Sequence, residues 1–131
     1  MSDVGSWEPG APALSDVHRK ILGVAIKALD QPQLGLSAEQ QDSIRQAVCA
    51  SAESWRDFAQ EQPSAEITNW IRALTRAEMM LSGFELGARS PVIALIRLLK
   101  QRGEYPDDLT EWVKEHTDNR FLPYGSLSDR L

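Results

Sequence analysis

Two acidic side chains fall where a predicted helix should bury apolar groups. At 100° per residue, Glu78 and Glu85 lie within the arc occupied by Ile67, Ile71 and Leu74, so both carboxyls are predicted to point toward the core. A buried carboxylate must find a cation or hydrogen-bond donors, or take up a proton, and its pKa moves accordingly. Carboxyls with shifted pKa values are common at active sites, so a catalytic role is one interpretation of this pair.

The second interpretation of the two carboxyls is structural, and it is the one we favour. Buried carboxylates also occur in ion pairs that hold a fold together. Side chains able to satisfy them are Arg89, Arg97, Asn119 and Arg120. The seven-residue spacing lacks the Glu-x-x-His pattern of a di-metal site in a helical bundle. We therefore predict Glu78 and Glu85 as buried carboxylates with no metal, and an enzyme that uses either one is the least favoured function.

The histidines and the single cysteine do not form a catalytic or metal-binding motif. His18 and His116 lie near opposite ends of the chain, and neither has another good metal ligand three or four residues away. Cys49 is one turn from Arg45 and two turns from Arg56, and nearby cations stabilise a thiolate, but the sequence shows no base to partner it. We predict no catalytic residue and no cofactor.

A different set of residues has the side chains that anchor protein interfaces. Arginine and aromatic residues are enriched at the energetic centres of such interfaces. The predicted partner-binding residues are Arg72, Arg76, Arg97, Arg120, Phe121 and Tyr124. The last three lie in the segment Asn119–Gly125, which has two interpretations: a lid that closes the apolar core, which we favour, or a binding loop.

Charge is unevenly distributed, and this bears on nucleic-acid binding. The chain has 14 basic and 19 acidic residues and a net charge of −5, yet residues 64–103 have a basic excess and residues 104–131 an acidic one. We expect these two blocks to face one another within the fold. We favour this interpretation over a nucleic-acid surface, because an acidic protein is repelled by phosphate overall. A helix-turn-helix made by the predicted third and fourth helices remains the second choice, since the fourth has only a narrow polar strip near Arg97 to read bases.

Helical spacing of apolar residues, punctuated by capping residues, predicts four main helices and a short fifth. The helices are predicted from Ser15 to about Leu29, from Ser37 to Pro63, from a cap at Ser64 to before Ser90, from Ser90 to Gly103, and after Pro106. The pair Ser90-Pro91 is an N-cap followed by proline at the first helical position. The fourth helix is apolar over more than half its circumference, which predicts a central position. No alternation typical of strands is present.

The fold class is therefore predicted as all-α, a compact bundle or orthogonal array with a packed irregular C-terminal tail. A chain of 131 residues supports one core, so we expect a mobile arm over residues 1–13 and a single helical domain over residues 14–131. The chain shows no secretory signal and no membrane-spanning segment, and its single cysteine is compatible with a reducing interior; we expect a cytoplasmic protein.

These observations favour a small regulatory or adaptor domain that acts by protein–protein contact. The expected partner is another protein or a second copy of this chain as a homodimer, with no membrane partner. The alternatives are a nucleic-acid-associated regulator of the helix-turn-helix type and, last, the small enzyme with an inward carboxylate.

Overall fold

The computed structural model describes residues 14–81, 90–117 and 119, and the all-α fold class is confirmed there. Six helices occur in these residues, with no strand. They are α1 (Asp16–Lys27), α2 (Ala38–Ala47), α3 (Ala52–Ala59), α4 (Ser64–Met80), α5 (Pro91–Arg102) and α6 (Leu109–Glu115). The predicted arm over residues 1–13 and most of the predicted tail lie outside the described residues, as does Glu85.

The predicted second helix is wrong as a single element, because the chain turns between α2 and α3. Ser51 begins α3 as its N-cap, and its Oγ accepts a hydrogen bond from the Ser54 N–H at 3.0 Å. The Trp55 indole N–H donates to the Ala47 carbonyl at 3.0 Å, and this carbonyl also accepts the Ala50 N–H at 3.0 Å in the turn that follows α2. Both helices bury their apolar faces in the same core, so the apolar spacing continues across the break and conceals it.

Several predicted helix ends are confirmed, and one is wrong. Ser37 and Gln40 form the predicted reciprocal capping box at the start of α2. Gly103 ends α5 with φ of 71°, a conformation that glycine adopts without steric penalty. Ser64, predicted as a cap, is instead the first residue of α4, where Pro63 is the N-cap, and the Ser64 hydroxyl donates to the Glu104 carboxylate.

α5 is the central helix of the described residues. It packs against both α3 and α4, and every residue from Pro91 to Ile96 is buried. Burial of each large aliphatic side chain contributes about 1.5–3 kcal/mol, so α5 is a principal source of stability. Trp55 of α3 and Trp70 of α4 are fully enclosed in the same core. This arrangement fixes the N-terminal half of α5 against the start of α3.

Two arginines connect distant parts of the chain through backbone carbonyls. Arg76 of α4 donates to the carbonyls of Ala28, Leu29 and Gln31 just after α1, at 2.7, 2.9 and 2.8 Å. Arg102 of α5 donates to two carbonyls just after α3, those of Gln60 at 2.6 Å and Gln62 at 2.8 Å. Both guanidinium groups therefore satisfy acceptors near helix C-termini, where cations are favourable.

Candidate functional site

The best-formed cavity in the described residues is a cleft between the α2–α3 turn and α5, which we call the α3/α5 cleft. Its volume is about 450 Å³, within the range of small-ligand sites. Its lining residues are Val48, Cys49, Ala50, Ser51, Ala52, Arg56, Ser90, Ile93, Ala94 and Arg97. The cleft therefore joins residues about forty positions apart in sequence.

The sequence explains why a space exists at this position. The α2–α3 turn brings small side chains to one wall, including Ala50, Ser51 and Ala52, and α5 presents Ala94 on the other. Two helices that meet through small residues leave space where larger side chains would interdigitate. Val48 and Ile93, both buried, extend the apolar part of the surface. The result is a floor of aliphatic groups.

The charged residues that line the cleft are both arginines, one from each helix. Arg56 of α3 and Arg97 of α5 are exposed, so their guanidinium groups lie at the solvent side of the floor. Ser51 and Ser90, which cap α3 and α5, also line the cleft, so the positive ends of two helix dipoles are at this position. In a chain of net charge −5, the charged residues that line the cleft are thus basic and lie beside an apolar surface.

Cys49 contributes an exposed thiol to the cleft wall. Its S–H group donates to the Arg45 carbonyl at 3.5 Å. The Arg45 guanidinium itself forms an ion pair at 2.6 Å with Asp42, three residues earlier in α2. The described contacts of Cys49 thus supply no base that would activate it as a nucleophile.

Behind the cleft, the Ser90 hydroxyl connects α5 to Glu78 of α4. Ser90 is 3% exposed; its Oγ donates to Glu78 Oε2 and accepts the Val92 N–H at 3.2 Å. Burial raises the pKa of Glu78 to about 7, while side-chain hydrogen bonding by Ser90 and Asn119 acts in the opposite direction. Oε1 is enclosed with no hydrogen-bond partner of normal geometry in the described residues. The predicted inward carboxyl therefore contacts a helix cap.

The three predicted contact arginines of the described residues have different surroundings. Arg97 lines the α3/α5 cleft. Arg76 is engaged by the carbonyls after α1, and Arg72 is half-buried with its guanidinium 5.7 Å from the centre of the Trp112 ring. Arg120, Phe121 and Tyr124 lie outside the described residues, so their predicted role stays a prediction.

The sequence predicts neither the cleft nor Arg56 as one of its lining residues. The one signal it offers is the set of small residues between Ala47 and Ala52, which leaves space beside a neighbouring helix but does not say which helix is the neighbour.

The histidines have structural surroundings. His116 stacks on Trp112 with ring centres 3.9 Å apart, and its Nδ1 lies 2.7 Å from the Trp112 carbonyl. His18 Nδ1 accepts the Ser15 N–H at 3.1 Å, and burial lowers the pKa of His18. Within residues 14–81, 90–117 and 119, no group of three or more His, Cys, Asp or Glu side chains is placed to hold a metal ion.

A second groove, of about 400 Å³, lies at the C-terminal end of α4. Its lining residues are Pro32, Arg76, Met79, Met80, Lys114, Glu115, His116 and Thr117. The charged residues that line this groove are of both signs, so the groove favours neither an anion nor a cation, whereas the charged residues that line the α3/α5 cleft are both basic. Of the helices in the described residues, none has the length and apolarity to cross a bilayer.

No family model matches this chain, and neither a curated protein nor a solved structure matches it. The site is accordingly interpreted from its own geometry.

Proposed function

We propose that this chain is a small regulatory or adaptor domain that acts by protein contact, holding an acidic segment of a partner protein in the α3/α5 cleft. The observation that supports it is the composition of the cleft, an aliphatic floor bordered by Arg56 and Arg97. A partner segment with an apolar side chain and a carboxylate would match both features. Arginine is suited to this contact because its planar guanidinium can bind a carboxylate through two parallel hydrogen bonds.

The same features favour a protein partner over nucleic acid. A nucleic-acid surface needs several cations along a track of phosphates, whereas this cleft offers two arginines beside an apolar floor. The exposed side chains of α5, the reading helix of a helix-turn-helix, are Arg97, Lys100 and Gln101. That strip is narrow for reading base edges, and the net charge of −5 opposes approach to a polyanion.

A cytoplasmic location is part of the proposal. It is supported by the exposed free thiol of Cys49, because thiols at a protein surface stay reduced in the cytosol and oxidise outside it.

The test compares the wild-type chain with a cleft variant, Arg56→Glu/Arg97→Glu, and a matched control, Lys20→Glu/Lys27→Glu. The control makes the same charge change on α1, which packs mainly against α2 and α4. Both lysines are exposed. Circular dichroism first establishes that all three chains are folded. Proteins captured from lysate with and without nuclease treatment are identified, and the leading candidate from the treated lysate is purified and titrated against each chain.

We expect the purified partner to bind the wild-type and control chains alike, and the cleft variant with a Kd raised at least about tenfold, since two arginine–carboxylate contacts are lost. Equal binding by all three chains would contradict the proposal. Capture that nuclease abolishes would instead support the helix-turn-helix alternative, and self-association lost in the cleft variant would identify a second copy of this chain as the occupant.

A further inference from the structure

The size of the α3/α5 cleft limits what can enter it. A volume of about 450 Å³ corresponds to a sphere about 9.5 Å across, whereas an α-helix with its side chains is about 10–12 Å in diameter. A whole helix is therefore wider than a sphere of this volume, and an extended segment or the end of a chain fits the space better.

The chemistry of the cleft asks for an apolar group and an anion close together. The aliphatic floor, which includes Ala52, Ile93 and Ala94, and the two arginines border the same small space. In an extended segment, adjacent side chains point to opposite sides, so an internal acidic residue directs its apolar neighbour away from the floor. The next side chain on the same side is about 6.6 Å further along the backbone, so an internal segment places its carboxylate and its apolar group at two separate positions.

A C-terminal residue meets both requirements with a single Cα atom. Its free carboxylate and its side chain leave the same carbon, and the chain needs only one exit from the cleft. Backbone amides at helix N-termini favour carboxylates, and the first turn of α3 begins at Ser51, which lines this cleft. Together with the arginines, these groups favour a full negative charge at the end of a chain.

We infer that the α3/α5 cleft captures the C-terminus of a partner protein, with the terminal carboxylate bound by Arg56 and Arg97 and an aliphatic terminal side chain on the aliphatic floor. This inference rests on the proposed function, because it names the part of the partner that the cleft recognises. The small residues of the floor accommodate a side chain such as valine or leucine.

Three short peptides test the inference on the full chain labelled with ¹⁵N. The first is acetyl-Gly-Gly-Leu with a free C-terminal carboxylate, and the second is the same peptide ending in an amide. The third, acetyl-Gly-Leu-Gly-Asp-Gly-amide, has its carboxylate on an internal residue two positions after the leucine, so that both side chains lie on the same side of an extended segment. Each is titrated while the backbone amide resonances of Ala50, Ala52, Ile93 and Ala94 are followed. The matched pair of chains is Arg56→Gln/Arg97→Gln and Lys20→Gln/Lys27→Gln.

We expect the free-acid peptide to shift the four amide resonances saturably and to bind at least about tenfold more tightly than the amide peptide. That preference should vanish in the arginine variant and persist in the lysine control. Equal binding of the free-acid and amide peptides, or no shift of the cleft resonances by any peptide, would overturn the inference. If the internal-carboxylate peptide binds as tightly as the free acid, chain-end recognition is refuted while the proposed function stands.

Discussion

Replacing Glu78 by glutamine should stabilise the protein at high pH and leave its stability nearly unchanged at low pH. The glutamine amide keeps an oxygen that accepts the Ser90 hydroxyl, and it never carries a charge. In the wild-type chain, burial raises the pKa of Glu78 from 4.5 to about 7. Between about pH 4.5 and pH 7 the folded state holds this proton more tightly than the unfolded state does, so the contribution of Glu78 to stability falls as the pH rises through this range.

The magnitude follows from the size of the pKa change. Each pKa unit is worth about 1.4 kcal/mol, so the full change corresponds to about 3 kcal/mol above pH 7. Solvent screening at a half-buried side chain reduces this figure, and we expect Glu78→Gln to gain between about 1 and 3 kcal/mol at pH 8. Below pH 4.5 the wild-type carboxyl is neutral in both states, and the two chains should have similar stability.

Urea unfolding followed by tryptophan fluorescence from pH 4.5 to 8.5 measures the difference. The exposed Glu39→Gln provides a matched control for loss of a surface carboxyl. A difference between Glu78→Gln and wild type that stays constant across this range would refute the reasoning. Destabilisation by Glu78→Gln at pH 8 would also refute it, because it would mean that the carboxylate is favourably bound in the folded state.

Three further changes follow from contacts already described. Ser90→Ala removes the N-cap of α5 and the buried donor to Glu78, so we expect the free energy of unfolding, measured with a chemical denaturant, to fall by about 2 kcal/mol. For Ser51→Ala, which removes an exposed cap, we expect a loss of about 1 kcal/mol. Equal losses in the two variants would contradict a special role for the buried hydroxyl. Arg76→Met retains the aliphatic stem but removes the guanidinium that donates to three carbonyls, which should lower the free energy of unfolding by about 2 kcal/mol. An unchanged urea midpoint would contradict this expectation. Trp55→Phe should lower the free energy of unfolding by about 1–3 kcal/mol, because the Ala47 carbonyl loses its indole donor and the smaller ring leaves space in the core. A neutral result would show that the Ala50 N–H alone satisfies this carbonyl and that the core closes around the smaller ring.

The helical content of the fold could be predicted because its signals are local. The apolar spacing of Ile67, Ile71 and Leu74, the capping box at Ser37 and the glycine at position 103 each depend on residues within a turn or two. The break between α2 and α3 could not be predicted in the same way. It depends on the Trp55 indole reaching back to Ala47, and apolar spacing alone does not reveal such a contact.

The candidate site was only partly predictable for a related reason. The inward position of Glu78 follows from helical angles, but its partner Ser90 lies on another helix. The α3/α5 cleft is defined by missing side-chain volume between two segments about forty residues apart, and a sequence pattern does not encode such a gap. Arg72 and Arg76 lie one turn apart on α4, but sequence spacing does not show that the first contacts the Trp112 ring and the second binds the carbonyls after α1.

The hydrogen bonds from Arg76 and Arg102 to backbone carbonyls also affect which parts of the molecule can unfold locally without the rest. The ends of short helices ordinarily fray, and their amides exchange with solvent through small local fluctuations. Here the chain after α1 is held by Arg76 of α4, and the chain after α3 by Arg102 of α5. Each end is thus coupled to a helix distant in sequence. Protection against amide exchange near Leu29 and Gln62 should therefore follow the opening of the α4–α5 pair, making these helix ends part of one cooperative unit.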